Sequence, residues 1–337
     1  MKNSISKRIG WIDAYRGFAI ILIVMGHLIS FGVVDYTGSD SLLLIRRIIN
    51  IIWLPAFFWI SGYLSFKRDR DSVAATINAV FTKIRCLIVP TVVISLVWSF
   101  VHRGGYDAIY QGFGRFWFTS TLFEMWVIYY LTAFVFRGKS AVWIVLLISL
   151  GITALPLLNI DFNRSALKAF NVLNLCVYFQ FFSFGLLSRV YSDRFSQYMT
   201  KRNLTAVFFV FFILVCTVQT VYISDGILSK ILNIFVSRYL LLLTSVGCFM
   251  QADRYLSSND RIATGIRFIG QKTLDIYFLH YFFIPSLGWI VWMYLPDQLI
   301  FQSMTLFVIA LAIIGFCLVP SWLLRKSRFM TALVFGR

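Results

Sequence analysis

Residues 12 to 28 read IDAYRGFAIILIVMGHL. From Phe18 to Met25 every side chain suits lipid, yet the stretch also carries Asp13, Arg16 and His27. Ionisable groups inside a bilayer are costly, and they usually face a cavity or a partner. The eleven-residue step from Arg16 to His27 is close to three helical turns, so both side chains share one face, about 16 Å apart along the axis. Asp13 stands three positions before Arg16, the spacing of an ion pair on one helix. Two readings of that face fit the residues. In one, a fixed cation low on the helix and a titratable base higher up serve a reaction. In the other, Arg16 snorkels to headgroups and His27 hydrogen-bonds within a helix interface.

The rest of the chain says which solvent this helix meets. Of 337 residues, 59% are hydrophobic and only 13% charged, about half the charge of a soluble domain. Apolar runs long enough to cross a bilayer recur throughout. The expected fold is an all-α polytopic integral membrane protein with about ten transmembrane helices. They are placed near 11–33, 48–66, 86–102, 116–136, 141–159, 169–190, 204–223, 231–251, 272–294 and 300–323. An even number returns both termini to one side. The basic stretches at 67–71, 137–139, 193–202, 253–267 and 325–328 then fall on that side, which the positive-inside rule identifies as cytoplasmic. Arg46 and Arg47 fall on the other side and depart mildly from the rule. This placement explains the net charge of +17 without nucleic acid. The bilayer is the expected partner.

Several chemistries are disfavoured. Cys86, Cys176, Cys216, Cys248 and Cys317 are scattered in or beside apolar runs, with no CxxC pair, and read as small buried hydrophobes. The three histidines lack zinc spacing, so no metal is expected. Lys2, Lys7 and Arg8 before an apolar run imitate a signal peptide, but Asp13 and Arg16 interrupt the pattern and no small-residue cleavage site follows.

Other polar groups stand out against the apolar background. Val73, Ile77, Val80, Phe81 and Ile84 recur at helical spacing and end on Lys83 and Arg85. That pattern suits an amphipathic helix at the inner interface, either plain or ligand-facing. Glu124 is a carboxylate near the middle of a span and needs a proton or a partner; Arg238 is one candidate. FFWISGYL at 57–64 sets Ser61 and Gly62 between bulky aromatics, where small residues let helices approach closely. GQKTLDIYFLHYFF at 270–283 gathers Thr273, Asp275, Tyr277 and His280. Thr273 aligns with Tyr277, and Tyr277 with His280, on a helix; a packed, hydrogen-bonded interface would use them equally well.

In this order the pieces resemble the membrane acyltransferase 3 family. Its first helix has an arginine, ten residues and a histidine, matched here by Arg16 and His27 within Ile12-Asp13-Ala14-Tyr15-Arg16-Gly17. A FFxxSGYL-type stretch corresponds to Phe57–Leu64, and a basic segment running into a proline corresponds to Lys83, Arg85 and Pro90. A WFL-type motif corresponds to Trp117-Phe118-Thr119, with Thr where Leu is usual. GxxSLxIYxxH corresponds to Gly270–His280, with Thr273 in place of Ser. The resemblance covers nearly the whole chain. It implies one transmembrane acyltransferase domain over 1–337 with no appended soluble domain.

The resemblance further implies acetyl-CoA as acyl donor, reached from the cytoplasm, and an acceptor hydroxyl on an envelope glycan or lipid-linked sugar. The setting it implies is a bacterial inner membrane, and small members of this type look like O-antigen, exopolysaccharide or fucose O-acetyltransferases. Within that scheme His27 suits a general base, since imidazole titrates near 6.5, or a nucleophile that carries the acyl group. Arg16, Lys83 and Arg85 suit the donor phosphates. Glu124, Tyr277 and His280 are candidates for orienting the base or the acceptor, with Asp13, Ser61, Trp117 and Thr273 in supporting positions. Rivals are a transporter or flippase of a glycan precursor, a succinyl- or N-acyltransferase on the same fold, and a non-catalytic sensor. A second copy of the chain stays open as a partner.

Overall fold

The computed structural model describes residues 9–32, 38–66, 73–101, 114–158, 171–221, 226–285 and 297–336. The basic run at 67–71, residues 102–113 of the polar stretch at 102–115, and the later part of the span expected at 272–294 lie outside the described residues. Among the described residues the chain forms helices and no strand. In chain order these are α1 Gly10–His27, α2 Asp40–Ser65, α3 Val73–Lys83, α4 Val89–Val101, α5 Trp117–Val135, α6 Lys139–Ala154, α7 Val172–Val190 and α8 Ser192–Met199. There follow α9 Arg202–Val221, α10 Ile227–Ile231, α11 Arg238–Gln251, α12 Asp253–Leu256, α13 Arg261–Gln271, α14 Thr273–Leu279, α15 Leu299–Leu324 and α16 Arg328–Phe335.

Eight continuous helical stretches among the described residues are long and apolar enough to cross a bilayer, and the bent pair α8–α9 makes nine if counted as one span. The remaining expected segment, at 272–294, is described to residue 285, as α14 followed by a 3-10 turn His280–Phe283. Ile300, Val308, Phe316 and Trp322 along α15 are exposed. Apolar side chains in such a row are what a bilayer covers. The chain is an all-α polytopic membrane protein.

Three boundaries differ from the hydropathy reading. The second helix starts at Asp40, eight residues before the expected 48, and so includes Arg46 and Arg47. The third span starts at Ala75, because the amphipathic segment is not a separate surface helix: α3 runs into α4 through a π-helical turn, Ile84–Ile88. A π-turn keeps the backbone hydrogen-bonded, so the chain need not break between the two. The stretch 253–267, expected as a basic loop, folds into α12 and most of α13.

The described chain divides into two compact units. One comprises Met1–Phe57, Asp193–Tyr277 and Ile284–Ile314; the other comprises Phe58–Ser192, Phe278–Phe283 and Gly315–Arg337. In the first, α1 packs along α13, and the buried positions are small. A Cβ on Gly17 would collide with the Ile266 carbonyl oxygen and lie 3.1 Å from the Gly270 nitrogen; a Cβ on Gly270 would collide with the Asp13 carbonyl. Tyr15 Oη and Ser245 Oγ share a 2.6 Å hydrogen bond that joins α1 to α11.

The second unit repeats the device. A Cβ on Gly62 would collide with the Phe182 carbonyl, and one on Gly185 with the Trp59 carbonyl. Ser61-Gly62 thus permits a close crossing of α2 and α7, the packing role its small residues suggest. Trp59 Nε1 donates to Ser188 Oγ at 3.2 Å on the same seam. Thr91 Oγ1 and Thr119 Oγ1 join α4 to α5 at 2.6 Å.

Candidate active site

The first unit holds Asp13, Arg16, His27, Thr273 and Tyr277. The α-helix is unbroken from Gly10 to His27, so the three-turn phase between Arg16 and His27 holds in the backbone. Immediately after His27 the helix widens into a π-turn, Leu28–Gly32. Such turns re-aim side chains and are frequent at functional sites.

At the low end, Arg16 Nη1 lies 3.9 Å from Asp13 Oδ1, the i,i+3 pair expected from spacing. Asp13 Oδ2 also accepts from Gln271 Nε2 at 3.1 Å. A buried carboxylate held from two directions fixes the arginine beside it more firmly than a surface pair would. At the high end, the His27 ring meets Trp53 edge-on, centroids 5.5 Å apart, and Phe31 at 5.7 Å. The imidazole is half-buried between two aromatic walls.

The 270–283 motif serves this unit by closing α13 and starting α14. The Thr273 hydroxyl donates to the Gly270 carbonyl, tying down the turn between the helices. Lys272 Nζ pairs with Asp275 Oδ2 at 3.8 Å. Tyr277 is buried. The α-helix ends at Leu279, and His280 opens the 3-10 turn.

The second unit holds Ser61, Lys83, Arg85, Trp117, Glu124 and His280. Lys83 Nζ sits 3.5 Å above the Trp126 ring, a cation–π contact. Arg85 is exposed and lies inside the π-turn Ile84–Ile88. Trp117 stacks on Tyr178 at 5.9 Å and 26°. Glu124 is half-buried, and its Oε2 makes no hydrogen bond. On α5, Trp117, Thr121 and Glu124 are spaced four and three apart and share one stripe. The His280 ring is fully buried, with its centroid 4.2 Å from that of Tyr281. Tyr281 packs edge-on against Phe116, and the Arg115 guanidinium lies over Trp98 at 4.6 Å.

The structure therefore brings Asp13 and Arg16 together and keeps His27 in phase above them. Tyr277 and His280 fall in different units, as do Glu124 and Arg238. Sequence reasoning missed Gln271, Trp53 and Phe31. Gln271 lies inside a quoted motif, where a polar residue beside the invading Gly270 was the available signal. Trp53 and Phe31 gave none, because aromatic residues are common along this chain.

A family model described as an acyltransferase domain matches residues 9–326. No curated protein and no solved structure matches the chain.

Proposed function

Since the chain belongs to the membrane acyltransferase 3 family, and is a membrane acyltransferase, we propose that it moves an acetyl group from acetyl-CoA to a hydroxyl of an envelope glycan or lipid-linked sugar. The observation that carries this reading is the single helix face with Arg16 braced by Asp13 at 3.9 Å and His27 three turns above, between Phe31 and Trp53.

The chemistry follows from what each residue type can do. Arg16 binds the donor's phosphates on the cytoplasmic side, and Lys83 and Arg85, in the second unit, are separate cationic candidates for that role; guanidinium suits it because its fork matches phosphate oxygens. The pantetheine arm then runs toward His27. The His27 imidazole takes the proton of the acceptor hydroxyl. The oxygen attacks the thioester carbonyl, a C–O bond forms, the C–S bond breaks, and the imidazolium returns its proton to the departing CoA thiolate. Trp53, buried beside the ring, keeps water from that side, which protects the thioester from hydrolysis. Tyr277, in the unit of His27, orients the base or the acceptor, with Thr273 shaping its helix; Glu124 and His280 are polar candidates within the second unit, which also holds Trp117.

Isotope transfer in membrane vesicles tests the reading. Vesicles carrying the chain should move label from acetyl-CoA into material that mild base releases, and vesicles carrying His27→Ala should not. Label taken only from succinyl-CoA, or held in a base-stable amide, would replace the acetyl or the hydroxyl part of the proposal. Wild-type vesicles that leave all label on CoA contradict it.

A further inference from the structure

The last described helix, α16, lies beyond the residues matched by the family model, which end at 326. It is nonetheless built into the second unit. Ser327 caps its start, accepting from the Met330 N–H at 3.3 Å, and Gly336 closes it in the left-handed region with φ +66°. This Ser-start and Gly-stop pair defines a helix with a fixed end. Its inner face buries Val334 and Phe335, while Phe329 and Met330 stay exposed. Arg325 lies 4.6 Å over the Phe335 ring.

The helix packs along α4 and on the π-turn Ile84–Ile88, and its Gly336 end rests on the π-turn. Cys86 Sγ donates to the Gly336 carbonyl at 3.0 Å. A Cβ on Gly336 would collide with the Arg85 carbonyl oxygen and the Cys86 Cα. Only glycine meets both demands at this position, the positive φ and the absence of a side chain. The turn so gripped is irregular, and it presents the exposed side chain of Arg85. A π-turn has one more residue per turn than its neighbours need, so its register depends on what holds it.

We propose that α16 is a clamp that fixes the π-turn of Arg85 and so sets the affinity for the phosphate end of the acyl donor; this rests on the donor-binding role of Arg85 proposed above. Phe335 and Gly336 are positioning residues that act through Arg85.

Full-length protein in nanodiscs is titrated with two probes, adenosine 3′,5′-bisphosphate for the charged end of the donor and acetyl-pantetheine for the uncharged arm. Phe335→Ala and Gly336→Ala should each weaken the bisphosphate on the order of tenfold, the scale of one charge-assisted hydrogen bond, and leave acetyl-pantetheine unchanged. Phe335→Leu should restore most of the loss. Phe335→Ala combined with Arg85→Ala should be no weaker than Arg85→Ala alone, since two residues acting through one contact are not additive. Additive losses, equal losses for both probes, or no loss would each overturn the clamp while Arg85→Ala still weakens the bisphosphate. If Arg85→Ala itself binds the bisphosphate as the wild type does, the donor-binding role of Arg85 fails, and the clamp with it.

Discussion

Asp13 is the residue on which the low end of the candidate site turns. It is buried, it faces Arg16 at 3.9 Å, and it accepts from Gln271 at 3.1 Å. Removing a charged partner of this kind costs about 1.5–3 kcal/mol, so Arg16→Ala should weaken acetyl-CoA binding roughly ten- to a hundredfold, measured by titration in nanodiscs. Unaltered affinity would end the gripping role of Arg16. Gln271→Ala should cause a smaller loss in the same direction, because it loosens Asp13 without removing the cation. His27 answers to a different readout: His27→Ala should abolish transfer and leave donor binding intact, since its ring lies three turns from the arginine. Arg16 and His27 were both legible in the sequence, because charge inside an apolar run is rare and a helix fixes its phase. The brace from Gln271 was not, because a hydrogen bond between residues 258 positions apart leaves no local pattern.

The crossing of α1 and α13 shows why a whole helix escaped the hydropathy reading. Its buried face is made of Ala263 and Gly270, two turns apart, while Ile262 and Phe268 are exposed. The burial signal is therefore small side chains, not apolar ones, and a hydropathy window cannot see it. Gly270→Ala must displace the Asp13 backbone and should destabilise by about 1–3 kcal/mol, the scale of overpacking. Gly265 lies on the same helix with open space around it, so Gly265→Ala should stabilise by about 0.5–1 kcal/mol through helix propensity. Thermal melting of the two variants in one detergent tests both signs. The start of α13 carries a pH-dependent contribution as well. The Tyr255 hydroxyl and the N–H groups of Ala263 and Ile262 hold the Asp260 carboxyl below the ordinary aspartate range. A carboxyl lowered by folding stabilises above its unfolded value, near 3.9, and loses that contribution as pH falls through and below it. Melting temperature should fall less between pH 6 and pH 3 in Asp260→Asn than in the wild type.

At the scale of the whole molecule, the fold class was legible because a bilayer imposes length, composition and charge asymmetry on every span. The helix starts were less so. A π-turn carries α3 into α4 without a break, although Lys83, Arg85 and Pro90 mark a boundary there in the sequence, and Asp40 begins α2 well before its apolar core. The assignment of sides makes its own prediction. Cysteines placed at Lys139 and Arg261, in the basic stretches, should react with an impermeant thiol reagent only in inverted vesicles, and one at Asp40 only in intact cells. The reverse pattern would move the donor to the other face and take Arg16 out of its reach. The central claim is an acyl transfer that needs His27. Its most direct test is mass spectrometry of envelope glycans from cells with the wild-type chain, with His27→Ala, and with no copy, before and after mild base. A base-labile acetyl mass present only with the wild type is the result this account predicts. Glycans equal in acylation across the three strains, differing only in amount or location, would contradict it and favour a transporter.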